Sequence, residues 1–174
     1  AIAQNTMDAV RSVMTCRPDY LVLGMSAITF YGGVEGSKTF KAEVEAVSGI
    51  GASTGAESIA AALHAYGAQS VSFVSPYYPV ANAEVRRFLE ESGFCVVRDV
   101  PLQCKRWTDI AKVTPQQLRG VIDHLNGPDV DAIVQVGTNL SMVSLAAEYE
   151  AKLDKPVIAI NTATYWHALR ACGI

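Results

Sequence analysis

Residues 131–142, DAIVQVGTNLSM, decide the architecture. Residues 132–136 are a short apolar run rich in β-branched side chains, which predicts a strand buried on both faces, as in a parallel sheet. Gly137 lets the chain turn, and Thr138 and Asn139 bring side-chain donors and acceptors to that turn. Ser141 is placed to cap a helix, because residues 142–153 have helical spacing and Ala, Glu and Lys content. A strand, a glycine turn and a helix N-terminus in that order set unpaired N–H groups at the carboxyl edge of a sheet. Such groups suit a carboxylate or enolate oxygen. An ordinary βα connection has the same pattern, so this loop alone speaks for the fold and not for the function.

Outward from it the pattern repeats. Apolar runs predict strands at 20–24, 48–54, 71–75, 94–97 and 157–160, and helical spacing covers 7–15, 36–47, 56–66, 82–92, 115–125 and 165–171. Pro115 stands at a first helical position after Thr114. Only residues 99–113 lack a period. Strand and helix alternate nearly throughout, which predicts an α/β fold with a parallel sheet flanked by helices on both faces.

A chain of 174 residues has room for one domain or two small lobes. Its net charge of −3 is dispersed along the chain, with no basic stripe for nucleic acid. No run approaches the ~20 apolar residues of a membrane span and no signal peptide is visible, so a cytoplasmic protein is expected. Cys16, Cys95, Cys104 and Cys172 form no C-x-x-C pair and have no histidine at metal spacing, which reads as free thiols and no metal. The absence of G-x-x-x-x-G-K-[ST], G-x-G-x-x-G and H-E-x-x-H motifs leaves nucleotide-dependent and zinc-hydrolase chemistry without support. The first residue is not Met and the last comes straight after a helix, so segments are expected to be missing from one or both ends.

Five predicted strand ends carry hydroxyl-rich turns, at 25–31, 53–55, 75–78, 137–141 and 161–164. In a parallel sheet they share one edge, so Met25, Ser53, Tyr77, Gly137 and Thr162 are expected to line one cleft suited to a small anion. Helix capping by Ser and Thr explains each turn singly. Tyr77 stands between Pro76 and Tyr78-Pro79, a backbone stiffened on both sides. His64 and His124 read as packing or surface groups, as do Trp107 and Trp166; His167 alone among the histidines is expected near the cleft.

Taken together, LGMSAITFYGG, GASTGA, VSPYYPVANAEVRRFLEESGF, IVQVGTNLSM and KPVIAINTATYWHALR resemble the aspartate/glutamate racemase superfamily, in its branch of arylmalonate decarboxylase and maleate cis–trans isomerase. The resemblance implies two pseudo-symmetric α/β lobes, each a short parallel sheet flanked by helices, facing across a cleft. Residues 1–55 and 160–174 would form the first lobe, incomplete at its N-terminus, and residues 56–159 the second. It also implies a cofactor-independent lyase or isomerase acting on a malonate- or maleate-type carboxylate through an enolate-like state. The family's two cysteines would fall at Met25 and Gly137, so neither remains. The matching binding positions are Tyr77, Asn82, Ser53-Thr54 and Thr138-Asn139, joined by Met25, Ser26 and Gly137. Without the cysteines, Tyr77, His167 or a water would have to supply the proton. Two other functions stay open: a carboxylate-binding protein that has lost catalysis, and an amino-acid or hydantoin racemase, which needs two placed bases. The expected partner is a small carboxylate; a homo-oligomer is left open.

Overall fold

The computed structural model describes residues 2–174, with side chains from residue 5 onward. The expected first lobe begins at Ala1, which lies outside the described residues. In chain order the elements are α1 (Ile2–Val13), β1 (Leu21–Val22), a 3₁₀ turn (Ala27–Phe30), α2 (Gly33–Ser48), β2 (Ala52–Ser53), α3 (Gly55–Ala65), β3 (Ser70–Ser75), α4 (Pro79–Glu91), β4 (Cys95–Pro101), α5 (Trp107–Ile110), α6 (Pro115–Leu125), β5 (Ala132–Gln135), α7 (Val143–Leu153), β6 (Val157–Ala159) and α8 (Ile160–Ala171). β1 and β2 pair in parallel as one small sheet, and a second, all-parallel sheet has the order β4-β3-β5-β6. The fold is therefore α/β with two parallel sheets flanked by helices. No helix among the described residues is long and apolar enough to cross a membrane.

Both faces of the larger sheet are covered, which is why its strands read as apolar without alternation. On one face Val71, Phe73 and Val134 meet Ile59 and Leu63 of α3 and Val85, Phe88 and Leu89 of α4. On the other, Val74 and Ile133 meet Leu118, Ile122 and Leu125 of α6 and Leu145 and Tyr149 of α7. A separate core joins Met7 and Val10 of α1 to Phe40 and Val44 of α2 around Leu21 and Ala52. Phe30, at the end of the 3₁₀ turn, is fully buried and meets Phe88 edge-to-face at 5.4 Å between centroids. Such a pair contributes ~0.5–1.5 kcal/mol beyond its buried area.

The neighbours β3 and β5 lead into helices on opposite faces, α4 on one and α7 on the other. Their carboxyl ends thus open a crevice at a topological switch point, where open α/β sheets take their ligands.

Local details depart from the sequence reading. The last helix begins at Ile160, so residues 161–164 form its first turn and not a loop. β4 continues to Pro101 through part of the segment that has no period. α7 begins at Val143 with Met142 as N-cap and no side-chain cap, so Ser141 does not cap it. Thr54 and Thr114 do cap α3 and α6, the latter in a reciprocal capping box with Gln117.

Candidate functional site

Ser26 is the centre of the crevice. Its Oγ is hydrogen-bonded to the Tyr77 hydroxyl at 2.8 Å and accepts the Thr138 backbone N–H at 3.2 Å, so it joins the turns after β1, β3 and β5. The turn that carries it is held by its own carbonyl, which accepts from Thr29 N and from Thr29 Oγ1 at 2.7 Å. Thr29 Oγ1 in turn accepts from Ala56 N, which anchors the turn to the start of α3.

A cavity of about 250 Å³ opens over this cluster, lined by Gly24, Met25, Ser26, Ala27, Tyr77, Trp107, Ile110, Gly137, Thr138 and Asn139. Tyr77 is the one residue among these whose side chain can ionise, and burial pushes its hydroxyl up to about 12, against a smaller opposing pull from the Ser26 hydrogen bond. At neutral pH the cavity therefore offers uncharged donors only.

Two buried devices hold those donors. Gln135 donates from Nε2 to the carbonyls of Val136 at 2.7 Å and Gly137 at 2.8 Å, which fixes the turn presenting the Thr138 N–H. Gly137 sits at φ +96°, and a Cβ there would stand 2.5 Å from Pro76 Cγ, so glycine is what allows this turn to pass the Tyr77 loop. Under Tyr77 a polar chain runs inward. Ser75 Oγ accepts the Tyr77 N–H at 3.2 Å and donates to Asn82 Oδ1 at 2.6 Å; Asn82 Nδ2 donates to Asp99, which Arg86 grips with its guanidinium.

Of the residues singled out in the sequence, Met25, Ser26, Tyr77, Gly137, Thr138 and Asn139 meet at this cavity. The others are engaged elsewhere. Ser53 Oγ is hydrogen-bonded to His167 Nδ1 at 2.8 Å and to the Tyr20 hydroxyl at 3.0 Å, so His167 ties α8 to the small sheet and does not face the cavity. Thr54 caps α3 and faces a different cavity, and Asn82 braces Ser75 from beneath. Thr162 lines an apolar groove between α3, α7 and α8. The start of α7 lies on that groove too, since Val143 lines it, so the donors at the cavity come from a loop and not from a helix N-terminus. Tyr77, on the loop stiffened by Pro76 and Pro79, is 7 % exposed as a residue and its hydroxyl is held by Ser26.

Trp107 and Ile110 were missed. Trp107 reads as packing but stands 64 % exposed at the cavity wall, and its carbonyl accepts from Asn139 Nδ2 at 3.5 Å. The signal in the sequence was a large aromatic beside Lys105-Arg106 in a stretch without apolar period. Cys16, Cys95 and Cys172 are exposed; Cys104 is half-buried, its thiol pushed up by that burial, and none of the four lines the cavity. Among the described residues no three His, Cys, Asp or Glu side chains gather as a metal-ligand group.

Comparison with known proteins places this geometry. A maleate isomerase of Pseudomonas putida is 29 % identical over 123 residues, 70 % of this chain and 49 % of that protein. One from Alcaligenes faecalis is 25 % identical over 114 residues, 64 % of this chain and 45 % of that protein. The chain thus spans about half the length of the curated relatives it matches. Among solved structures, the Nocardia farcinica maleate cis-trans isomerase bound to TRIS superposes with a TM-score of 0.93 at 20 % identity, over 98 % of this chain and 72 % of that one. A crystal structure of arylmalonate decarboxylase does so with a TM-score of 0.87 at 20 % identity, over 97 % and 75 %. These establish the shared two-lobed fold. The arylmalonate decarboxylase family profile matches residues 3–174, and the chain belongs to that family.

Proposed function

We propose that the cavity over Ser26 holds one carboxylate of a small malonate-type acid and supports its decarboxylation without a thiol, a metal or a cofactor. The observation that carries this reading is the composition of the cavity: the Ser26 and Tyr77 hydroxyls and the Thr138 N–H converge, and nothing around them ionises near neutrality. Cleavage of the bond between the α-carbon and a departing carboxylate leaves its electron pair on the α-carbon, delocalised as an enolate onto the remaining carboxyl group. Fixed donors aimed at those oxygens stabilise the enolate more than the substrate. The α-carbon then takes a proton from water as CO₂ departs.

Isomerisation of a maleate double bond makes a different demand, because a nucleophile must add and leave. A Nocardia farcinica maleate cis-trans isomerase variant carries a covalently bound succinylcysteine intermediate. By resemblance the two cysteine positions here fall at Met25 and Gly137, and no thiol lines the cavity. That difference favours decarboxylation over isomerisation, and it disfavours a racemase, which needs two bases. A second reading, carboxylate binding without turnover, is favoured by the same lack of an acid–base side chain.

Incubation with ¹³C-carboxyl phenylmalonate, followed by NMR for ¹³CO₂, separates the readings, with malonate and maleate as comparators. Release of ¹³CO₂ that survives cysteine alkylation, with maleate unchanged, is the expected result. Saturable binding with no release would support the second reading, and conversion of maleate to fumarate would overturn the first.

A further inference from the structure

The polar chain beneath Tyr77 has a direction, and its far end sets it. Asp99, on β4, offers a carboxylate, which accepts hydrogen bonds and donates none. Arg86 occupies one of its oxygens: Nε donates to Oδ1 at 3.1 Å and Nη2 donates to the same atom, while Nη1 turns to the Val96 carbonyl at 3.0 Å. Asp99 Oδ2 is left to Asn82. Facing an acceptor, the Asn82 amide has to turn Nδ2 towards Asp99 and therefore Oδ1 towards Ser75. Facing Oδ1, the Ser75 hydroxyl has to donate its proton there, and a lone pair is what remains for the Tyr77 N–H. Ser75 is fully buried and Asn82 nearly so, which leaves bulk water no part in the chain. The same loop carries the acceptors for the approach to α5. The carbonyls of Ser75, Pro76 and Tyr77 accept from the N–H groups of Leu102, Cys104 and Gln103 at 2.8, 3.0 and 3.2 Å. What fixes the Tyr77 loop thus also fixes the root of the wall that carries Trp107 and Ile110.

We infer that Asp99, which does not line the cavity, is a positioning residue for it, given that the cavity over Ser26 takes a carboxylate as proposed above. Its carboxylate sets the sense of the hydrogen bonds through Asn82 and Ser75, and so holds Tyr77 towards the ligand. Asp99→Asn keeps the shape and loses the direction. The new amide keeps its oxygen on Arg86, so its Nδ2 meets Asn82, whose own amide has to flip and turn Nδ2 on Ser75. The Ser75 proton is then left without an acceptor in a buried place, which is costly, and the hydroxyl turns at the expense of the Tyr77 N–H. Swapping the two side chains, Asn82→Asp together with Asp99→Asn, restores every sense. The carboxylate at position 82 accepts from Ser75 and from the amide at position 99, whose oxygen accepts from Arg86. An ion pair that merely braced α4 on β4 would gain nothing from the swap, since the carboxylate moves off Arg86.

The test compares the whole chain with Asp99→Asn and with the swapped pair, by amide hydrogen exchange without ligand and by calorimetric titration with phenylmalonate. The Phe73 amide, on β3 ahead of the loop, reports general loss of stability. In Asp99→Asn the Tyr77 amide is expected to speed up at least tenfold more than the Phe73 amide, and phenylmalonate to bind at least fivefold more weakly. The swapped pair is expected to return both to within threefold of the parent. An equal rise at Tyr77 and Phe73, unchanged phenylmalonate affinity in Asp99→Asn, or a folded swapped pair no better than Asp99→Asn would overturn the proposal. If the swapped pair does not fold, the Tyr77 and Phe73 amides of Asp99→Asn decide alone. A parent that binds no phenylmalonate would overturn the reading of the cavity instead, and the same two amides would still show whether Asp99 directs the loop.

Discussion

The Tyr77 hydroxyl has two duties: it is hydrogen-bonded to Ser26 within the fold and is poised over the cavity. Its ionisation is pushed from 10.0 up to about 12, chiefly by burial. The folded state thus keeps a proton that the unfolded chain releases from pH 10 upward, so this group's contribution to stability is complete below pH 10 and is lost as pH rises towards 12. Urea unfolding between pH 9 and pH 11 should show a falling limb that is flatter in Tyr77→Phe. Gly137 makes a second residue-scale claim. Gly137→Ala adds a Cβ at φ +96° against Pro76, and should destabilise by more than about 1 kcal/mol in the same assay. That Ser26, Tyr77, Gly137, Thr138 and Asn139 meet at one cavity was legible because each comes after a parallel strand, and strand ends share an edge. The places of Ser53, Asn82 and His167, away from that cavity, were not. Their partners, His167 and Tyr20 for Ser53 and Asp99 for Asn82, stand far away in sequence, and only the fold decides which pairs meet.

Among the elements, α4 does most to hold the site. It carries Phe88 against Phe30, Asn82 under Ser75, and two carboxylates that reach the start of α2: Glu84 accepts from Gly32 N at 2.8 Å and Glu91 from Val34 N at 2.7 Å. Carboxylates at a helix N-terminus are favourable there. Arg87 and the Val34 N–H hold the Glu91 carboxyl below its ordinary 4.5. Its contribution is present above that ordinary value and is lost as pH falls through the lower folded one. Thermal unfolding from pH 6 to pH 3 should fall less steeply for Glu91→Gln than for the parent. Asn82→Ala should do more than destabilise. With Ser75 left without its acceptor, the Tyr77 loop loosens and carboxylate affinity should drop at least fivefold at pH values where the variant remains folded. The element boundaries that escaped the sequence have physical causes. Residues 161–164 carry the polar, β-branched composition of a turn, yet α8 starts at Ile160 because Ile160 and Ala163 bury against α3. Residues 99–101 lack alternation because β4, an edge strand, pairs only with β3.

At the scale of the whole molecule, the strand order β4-β3-β5-β6 puts the turns after β3 and β5 side by side, and the small β1–β2 sheet delivers Ser26 opposite them. The alternation of strands and helices made that architecture readable. The convergence of the turns was readable in part, because strand order, which the sequence does not state, decides which turns are neighbours. The central claim is that uncharged donors, with Tyr77 foremost, hold a small carboxylate in this cavity. Calorimetric titration with phenylmalonate of the parent, Tyr77→Phe and Tyr78→Phe tests it most directly, Tyr78 being half exposed and absent from the cavity wall. A hydrogen bond to a charged group is worth ~1.5–3 kcal/mol, so Tyr77→Phe should bind roughly 10- to 150-fold more weakly while Tyr78→Phe binds as the parent does. Equal affinity of the parent and Tyr77→Phe for a ligand that binds would contradict the account.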